Sequence, residues 1–452
     1  MANVEIDGVN SIVYTDKLDP KTGTALEIGT SGDTVTVPTG AGLTVTDEVK
    51  TNKISPATGT AFALGDSGDT FTVPSGATIV NSGTATGFGI NQTSFLPTAA
   101  PLIINGDMQV AQRGTSKTSI STGVHGYWTC DRFRERNDTG GTWTQTQESL
   151  TSGDALADGF ANSLKMDNTT ANASLSATSR LYLNYAFEGQ DVQVFKKGTA
   201  NAEKYTVSFW VKATKTGTNI LELWDNGGTT RHCCTAYTVS STDTWEKKVV
   251  NFPADTTGVI ADGNSDNFIM YFWLAAGTNY TSGTLATTWA NTTAANSAVG
   301  QVNNADSTSN NFEITGVQLE VGEYTSSDLP PFRHESYGDN KRRCQRYYEN
   351  SFTVGEYPGT DTTGTNSGLN TSWGDGNSCL PGGGKFKVTK RAAPSIVLRA
   401  RGSTTVAQLT SDGTARTAVA AGIGTEGCEY VTITSGTAAS YTGGSWEASA
   451  EL

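Results

Sequence analysis

The sequence is poor in histidine, methionine and proline and carries few charges. Its 452 residues include 3 His, 4 Met and 12 Pro, and only 17% are Asp, Glu, Lys or Arg. Since His125, His232 and His334 are the only histidines, a histidine-rich metal centre or a histidine-based catalytic triad has few candidates. The chain has no long apolar run, and its first residues lack a basic segment followed by an apolar one. We therefore expect neither a membrane span nor a secretory signal.

Catalytic and cysteine motifs are also missing. The six cysteines are scattered without a CxxC pair, and no GxSxG, HExxH, phosphate-loop or dinucleotide-binding motif occurs. We expect mostly buried, reduced thiols, because a chain of this length does not need disulfides to fold. We also expect no enzymatic activity.

The charge balance excludes one class of partner. The net charge is −13, so a nucleic acid would be repelled overall, and we expect no nucleic-acid partner. Thr, Ser, Asn and Gly take the place of the missing charges, and this composition is typical of β-rich proteins. The length is about three times the ~150 residues of a typical domain, which indicates two to four domains.

An internal repeat lies near the N-terminus. Residues 15–40 recur 36 residues later as 51–76, each copy with two short strand patterns around an SGDT turn. Two units of this size are fewer than the ~3 that a stable solenoid usually needs. We therefore predict that residues 1–90 form a β-repeat shaft completed by other copies of the chain, most simply three. A monomeric β-repeat lying on the next domain is the alternative.

The central region has the pattern of a β-sandwich. After a Pro- and Gly-marked linker at 91–101, residues 102–325 contain separated strand patterns and hardly any helical period. Alternation at 205–212 and 220–224 predicts half-buried strands. The predicted fold is a jelly-roll β-sandwich, and we expect its core to include Phe272 and Trp273.

The pattern changes again after the sandwich. YGDNKRRCQRYYE, residues 337–349, has helical spacing and predicts a connector helix within 326–352. Residues 353–452 return to strand patterns and predict a C-terminal β-sandwich tip. The whole chain is thus predicted to be all-β except for this helix. We expect a solvated or subunit-bridging helix face made of Lys341, Arg342, Arg343 and Arg346.

Three stretches together resemble tail-fibre and receptor-binding proteins of tailed bacteriophages. The first is LIINGDMQVAQRGTS with YWTCDRF, residues 102–116 and 127–133. The second is GVQLEVGEYTSSDLPPFRHESYGDNKRRCQRYYE, residues 316–349, and the third is KFKVTKRAAPSIVL with the terminal WEASAEL, residues 385–398 and 446–452. The repeats lie outside these stretches.

The resemblance implies a homotrimeric, non-enzymatic fibre of the virion, made in the host cytoplasm. Such a fibre joins other virion tail proteins through its N-terminus and binds a glycan or polysaccharide of the host surface, without membrane insertion. Residues 102–325 are also similar to jelly-roll carbohydrate-binding modules. Two alternatives stay open: a tailspike-like polysaccharide depolymerase, whose two carboxylates must lie a fixed distance apart, and a capsid head or decoration fibre.

Glycan recognition needs flat aromatic faces beside polar side chains. The alternation turns Trp210 outward with Lys212 and turns Trp224 outward with Glu222. If the intervening TKTGT makes a hairpin within one sheet, the two tryptophans share its polar face. We therefore predict a glycan platform of these four residues. The alternative is that a neighbouring subunit or residues 102–108 cover both tryptophans.

Two further sites are predicted. Jelly-roll binding modules often hold a structural Ca²⁺ where their first and last strands meet, and Asp107 and Glu320 occupy those places here. The alternative is an Asn105-Gly106 turn with solvated acids. The second site is a basic patch on the tip that attracts anionic polymers, unless the charges only protect strand edges. Its residues are Lys385, Lys387, Lys390, Arg391, Arg399 and Arg401.

Overall fold

A computed structural model describes residues 100–351, 369–371, 385–400, 402–411, 413–433 and 442–452. The repeats, the shaft predicted for 1–90, most of the 91–101 linker and Arg401 lie outside these residues. No helix in the described part of the chain is long and apolar enough to cross a membrane.

The central region contains thirteen strands among the described residues. They are β1 (Ser116–Ser121), β2 (His125–Tyr127), β3 (Arg134–Asn137), β4 (Thr142–Ser149), β5 (Asn162–Thr170), β6 (Arg180–Glu188), β7 (Tyr205–Ala213), β8 (Gly217–Asp225), β9 (Arg231–Val239), β10 (Glu246–Phe252), β11 (Asp266–Ala276), β12 (Ala290–Asn291) and β13 (Asn311–Val321). Short α-helices are α1 (Asp154–Ala157) and α2 (Thr278–Thr281), and 3₁₀ turns occupy Gly189–Phe195 and Ala294–Asn296.

These strands form two antiparallel sheets. Sheet A has the order β1-β4-β5-β13-β7-β10, and sheet B has the order β12-β9-β8-β11-β6-β3-β2. The two sheets pack face to face, and the large apolar core lies between them. The β-sandwich predicted for this region is therefore confirmed.

Alternation along the strands decides which side chains enter that core. Tyr205, Val207, Phe209 and Val211 of β7 are fully buried in it, as are Leu221 and Leu223 of β8 and Phe272 of β11. Removal of these side chains from water is the main source of the fold's stability. Trp273 is also buried, but it lies in a second cluster on the other side of sheet B, with Ile220 and Cys234.

Both outer faces of the sandwich carry covering segments. Over sheet A, Ala155 of α1 and the nearby Phe160 pack with Trp210 and Trp245. Over sheet B, residues 277–302 supply Ala298 and Tyr280 to the cluster around Trp273. Side chains that face outward from either sheet can therefore be buried beneath these covering segments.

The predicted connector helix is present as α3 (Tyr337–Gln345). Ser336 caps it, because its hydroxyl accepts a 3.2 Å hydrogen bond from the backbone N–H of Asp339. Cys344 on its inner face is fully buried in the main core. Of the other cysteines, Cys130, Cys233 and Cys234 are buried, Cys428 is partly exposed, and Cys379 lies outside the described residues.

The C-terminal region is built around one long strand. The strands here are β14 (Tyr348–Asn350), β15 (Leu369–Thr371), β16 (Ser395–Ala400), β17 (Gln408–Ser411), β18 (Thr414–Ile423), β19 (Cys428–Ile433) and β20 (Thr442–Ser449). β20 pairs antiparallel with β14, β15, β16 and β17. A small core of Leu398, Leu409, Ala418 and Val431 supports them. The described strands are linked in one hydrogen-bonded arrangement, and the sandwich predicted for this region stays a prediction.

The last residues of the chain return to the sandwich at what we call the C-terminal joint. The Glu451 carboxylate accepts hydrogen bonds from Arg113 at 3.0 Å and Arg132 at 2.6 Å. Arg132 is 1% exposed, donates to the Ala186 carbonyl at 2.6 Å, and stacks 3.5 Å above the Tyr347 ring. These charges are buried, but each has a partner, as burial of charge requires.

Polar side chains extend the joint to α3 and β14. The Gln112 amide donates to the Tyr348 carbonyl at 2.8 Å, and Asn350 donates to the Gln112 carbonyl at 2.8 Å. Asn340 on α3 donates to the Asp107 carboxylate at 3.0 Å. Residues of all three stretches that resemble phage fibre proteins therefore meet at one buried interface.

The carboxyl end of the chain also lies at this interface. The Tyr127 hydroxyl on the sandwich donates to the carbonyl of Leu452 at 2.6 Å. The carboxyl end thus lies on the sandwich. The cause is the long strand β20, which ends beside β14 and delivers Glu451 to the two buried arginines.

Candidate functional site

The predicted tryptophan platform is wrong in its geometry. Trp210 lies on β7 in sheet A and Trp224 lies on β8 in sheet B, so the TKTGT connection passes from one sheet to the other. Both rings do face away from the main core. Trp210 is nevertheless only 9% exposed, beneath Phe160 and Ala155, and its indole N–H donates to Asp158 at 3.2 Å. The two tryptophans therefore cannot bind one sugar together.

Trp224 and Glu222 belong to the covered face of sheet B. The Trp224 indole donates to the Thr292 hydroxyl at 3.0 Å. Glu222 is 3% exposed, and its two oxygens lie 2.8 Å from His232 Nδ1 and from the Trp273 indole nitrogen. Glu222 is therefore a buried acceptor beneath residues 277–302, not the exposed glycan ligand predicted.

Glu222 also belongs to a group with metal-ligating atoms. Its carboxylate, His232 and the Cys234 thiol have ligand atoms within 4.8 Å of one another. The Thr293 N–H lies 3.4 Å from His232 Nε2, so that nitrogen accepts and Nδ1 carries the proton donated to Glu222. With Nδ1 protonated, the trio is a buried hydrogen-bond hub that holds the covering segment on sheet B.

Lys212, the fourth residue of the predicted platform, lies in a different setting. Across four neighbouring strands of sheet A, register aligns Thr146, Lys165, Glu313 and Lys212 in one row on the outer face. The Lys212 ammonium pairs with Glu313 at 2.9 Å, and Lys165 pairs with Asp167 at 3.0 Å. This row alternates positive and negative charge along a surface of the sandwich.

An open depression follows that row, and we call it the sheet A groove. Its volume is about 220 Å³, and it is lined by Glu148, Ser149, Leu150, Thr151, Ser152, Lys165, Lys212, Trp245 and Glu313. The side chains of Lys165 and Lys212 are 23% and 25% exposed, so both side chains reach solvent. The groove therefore offers donors and acceptors side by side.

Local packing fixes the groove walls. Lys212 lies 5.2 Å from the centre of the Trp245 ring, within cation–π range. Gly153, with φ 96°, also packs against that ring, because a Cβ there would come within 2.8 Å of it. The Ser163 hydroxyl donates to Glu313 at 3.1 Å, and the Thr146 hydroxyl donates to Glu148 at 2.8 Å. The polar groups are thus held in place before any ligand binds, which lowers the entropic cost of binding.

The two predicted calcium ligands have different hydrogen-bond partners. Asp107 is 3% exposed and accepts from Asn340, while Glu320 accepts from Arg333 at 2.7 Å. Burial raises the pKa of Asp107, and the hydrogen bonds from the Gln109 backbone and the Asn340 amide only partly offset this effect. In the described part of the chain neither carboxylate belongs to a group of three metal-ligating side chains. Calcium favours six to eight oxygens, so the calcium prediction gains no support.

The basic patch predicted for the tip is not a free positive surface. Lys390 is 1% exposed and pairs with Glu349 at 2.7 Å, and Arg399 pairs with Glu447. Arg391 donates to the carbonyls of Asn264, Ala450 and Glu451. Lys385 and Lys387 remain exposed. The acids that neutralise this segment come from distant parts of the chain.

The cations of α3 also pair within the chain. Arg343 binds Glu335 at 2.6 Å and the Pro101 carbonyl at 2.6 Å. Arg346 binds both oxygens of Glu188 at 2.7 Å. Arg342 is exposed and Lys341 is partly buried, so only part of the expected solvated face exists.

Sequence reasoning did not identify Glu148, Lys165, Trp245 and Glu313 as groove residues. Lys165 and Glu313 lie at outward positions of strands whose alternation is visible in the sequence. Their alignment with Lys212 depends on the strand order β4-β5-β13-β7, which brings together residues up to 165 positions apart. The sequence carries no signal for that order.

Comparisons with known proteins give only distant similarities. No family model and no curated protein matches the sequence. One similar solved structure is the enzymatically active domain of tailspike protein 4 of bacteriophage CBA120, with 10% identity over 49% of this chain and 21% of that chain and a TM-score of 0.25.

Two others are carbohydrate-binding modules. The family 11 module of the cellulosomal cellulase Lic26A-Cel5E of Clostridium thermocellum has 10% identity over 47% of this chain and 98% of that chain, with a TM-score of 0.23. TmCBM61, solved with β-1,4-galactotriose, has 9% identity over 49% of this chain and 99% of that chain, with a TM-score of 0.22. Similarities at this level establish neither the family nor the function of the chain.

Proposed function

We propose that this chain is a receptor-binding subunit of a tailed-bacteriophage fibre and that its sandwich binds a glycan of the host surface. The observation that carries the proposal is the sheet A groove, where Lys165, Lys212 and Glu313 line an open, preformed depression beside Trp245. Sugar hydroxyls need donors and acceptors in alternation, and this groove presents both.

The sequence resemblance supports the fibre part of the proposal. Its three stretches meet at the C-terminal joint, where they form a polar core with Arg113, Arg132 and Glu451. A fibre subunit with several weak glycan sites would gain avidity from its copies on the virion. The proposed attachment of the N-terminal residues to other tail proteins rests on the sequence alone.

We propose binding without cleavage. Hydrolysis of a glycosidic bond needs a carboxylic acid that can donate a proton. In the groove Glu313 accepts from both Lys212 and Ser163, and it therefore acts as a fixed acceptor. A tailspike-like hydrolase would instead release reducing ends from host polysaccharide, which a reducing-sugar assay on the purified protein detects.

The Lys212→Ala variant tests the groove. We expect about tenfold weaker binding to a recognised bacterial surface polysaccharide, since a hydrogen bond from a charged group is worth roughly 1.5–3 kcal/mol. Isothermal titration across a panel of such polysaccharides measures the effect. The matched control is Lys215→Ala, which removes a lysine paired with Asp306 outside the groove. Equal affinity of wild type and Lys212→Ala, with the fold intact, would contradict the proposal.

The fibre proposal also predicts the oligomeric state. Because the 15–40 and 51–76 repeats are too few to close a core alone, we expect the full-length chain to be a trimer in solution. Light scattering coupled to size-exclusion chromatography gives the mass directly. A monodisperse monomer would remove the basis for the shaft. Imaging of virions labelled on this chain separates a tail location from a capsid one.

A further inference from the structure

A second hollow lies at one end of the sandwich, among loops rather than across strands. It is formed by Thr122 after β1, residues 138–140 after β3, residues 172–179 before β6, and Tyr280 in α2. Its volume is about 560 Å³, within the range of small-molecule sites. It shares no lining residue with the sheet A groove. We call it the loop pocket.

A fixed acid–base pair forms one wall of the loop pocket. The Asp138 carboxylate accepts from Arg180 Nε at 3.0 Å and from Arg136 Nε at 2.8 Å. Burial alone would raise the pKa of Asp138, but the hydrogen bonds from the two arginines outweigh it and hold the pKa below its usual value. The side chains of Asp138 and Arg180 are 24% and 29% exposed, so both reach the pocket. A ligand therefore meets an acceptor beside a donor.

An aromatic ring, that of Tyr280, also lines the loop pocket. Tyr280 is half-buried, and its ring packs on Trp273 with 5.4 Å between ring centres. The Arg180 guanidinium lies 5.6 Å from the Tyr280 ring centre. One part of the ring is thus anchored in the cluster over sheet B, and the exposed part faces the pocket. Such a ring can stack on the C–H face of a sugar.

The other polar groups of the loop pocket are already ordered by one another. The Gly140 N–H donates to the Thr122 hydroxyl at 2.6 Å, and Asn172 donates to the Thr139 carbonyl at 2.6 Å. The hydroxyls of Ser176 and Ser179 lie 2.9 Å apart. These bonds tie loops from three different strand connections together. A ligand would find the loops in place and would not have to order them.

We infer that the loop pocket binds a single neutral sugar residue, as a second glycan site that rests on the proposed glycan-binding function. The charged side chains of the lining, Asp138 and Arg180, pair with each other, so the pocket gives an anionic ligand no unpaired positive charge, and Asp138 would repel a carboxylate or phosphate. The lining hydroxyls and amide would leave an apolar ligand facing desolvated polar groups. A polyhydroxylated ring with one apolar face satisfies the Asp138–Arg180 pair, the hydroxyls and Tyr280 together.

The test uses the full-length protein and a panel of neutral monosaccharides: glucose, galactose, mannose, rhamnose and N-acetylglucosamine. Saturation-transfer NMR detects which of them binds. Ser174→Trp places a bulky ring in the pocket from an exposed lining position, and we expect it to abolish the signal. Ser241→Trp is the matched control, because Ser241 is exposed and lies outside the pocket. Asp138→Asn, which keeps the size of the side chain, should weaken the signal at least several-fold.

The outcomes separate the two sites. A monosaccharide signal lost in Ser174→Trp and kept in Ser241→Trp supports the inference. A signal equal in all variants, or no monosaccharide signal from a wild type that binds polysaccharide, overturns the loop pocket and leaves the groove standing. If wild type binds neither monosaccharide nor polysaccharide, both the pocket and the proposed function fail.

Discussion

Replacement of Arg132 by Ala is expected to lower the free energy of unfolding by about 3–5 kcal/mol. This range is typical when one partner of a buried ion pair is removed and the other charge is left unpaired. Here Arg132 is 1% exposed and binds Glu451, the Ala186 carbonyl and the face of Tyr347. Urea denaturation followed by tryptophan fluorescence measures the loss.

The matched control is Arg342→Ala, which should change stability by less than about 0.5 kcal/mol. Arg342 also pairs with a carboxylate, Asp339, but its side chain is 71% exposed, and exposed pairs contribute little. The double variant Arg132→Ala/Glu451→Ala should lose less than the sum of the single losses, since the two residues share one interaction. Equal effects of Arg132→Ala and Arg342→Ala would contradict the buried joint.

Replacement of Glu135 by Gln is expected to remove a large part of the pH dependence of the free energy of unfolding. Glu135 is fully buried on β3, and its carboxylate oxygens accept no hydrogen bond of normal geometry. Burial raises the pKa of Glu135 from 4.5 to about 8, and the weak opposing influence of the Trp128 indole does not offset it. The folded protein therefore holds a proton at neutral pH that the unfolded chain releases.

The sign of the effect follows from that proton. Between pH 4.5 and about 8 the folded state binds more protons at Glu135 than the unfolded state does, so the free energy of unfolding falls as pH rises. Well inside this pH range the free energy of unfolding falls by about 1.4 kcal/mol per pH unit. Glu135→Gln should match wild type near pH 4.5 and be more stable by up to several kcal/mol at pH 8.

Denaturation curves over this pH range, for wild type, Glu135→Gln and Glu323→Gln, check the prediction. Glu323 has a side chain that is 56% exposed, and its replacement should leave the pH dependence of wild type unchanged. If Glu135→Gln keeps the wild-type slope, the carboxyl is ionised in the folded state and burial does not raise its pKa.

Alternation in the sequence predicted which side chains enter the core, but it could not predict how strands connect. Tyr205, Phe209 and Leu223 face inward as expected. A hairpin within one sheet and an arch between two facing sheets both turn these residues toward the same core. The pattern is therefore identical in the two cases. The platform of Trp210 and Trp224 was predicted from a hairpin, whereas the structure has an arch between the two sheets.

Long-range contacts explain the other differences. Trp210 faces outward as predicted, yet Phe160, 50 positions earlier, covers it. Lys390 and Arg399 form a basic segment in sequence, but Glu349 and Glu447 neutralise them from 41 and 48 positions away. Local composition cannot show such partners. Of the groove residues, Lys212 was identified from the sequence. The identity of its neighbours in the groove depends on the order of the strands in sheet A, which the sequence does not show.

Hydrogen exchange of backbone amides in the presence of a recognised surface polysaccharide tests the central claim most directly. Binding in the sheet A groove predicts slower exchange at residues 148–152 and around Lys165, Lys212, Trp245 and Glu313. The C-terminal strands β17 to β19 should exchange as they do in the free protein. Protection confined to those C-terminal strands, with the groove unchanged, would contradict glycan binding by the sandwich.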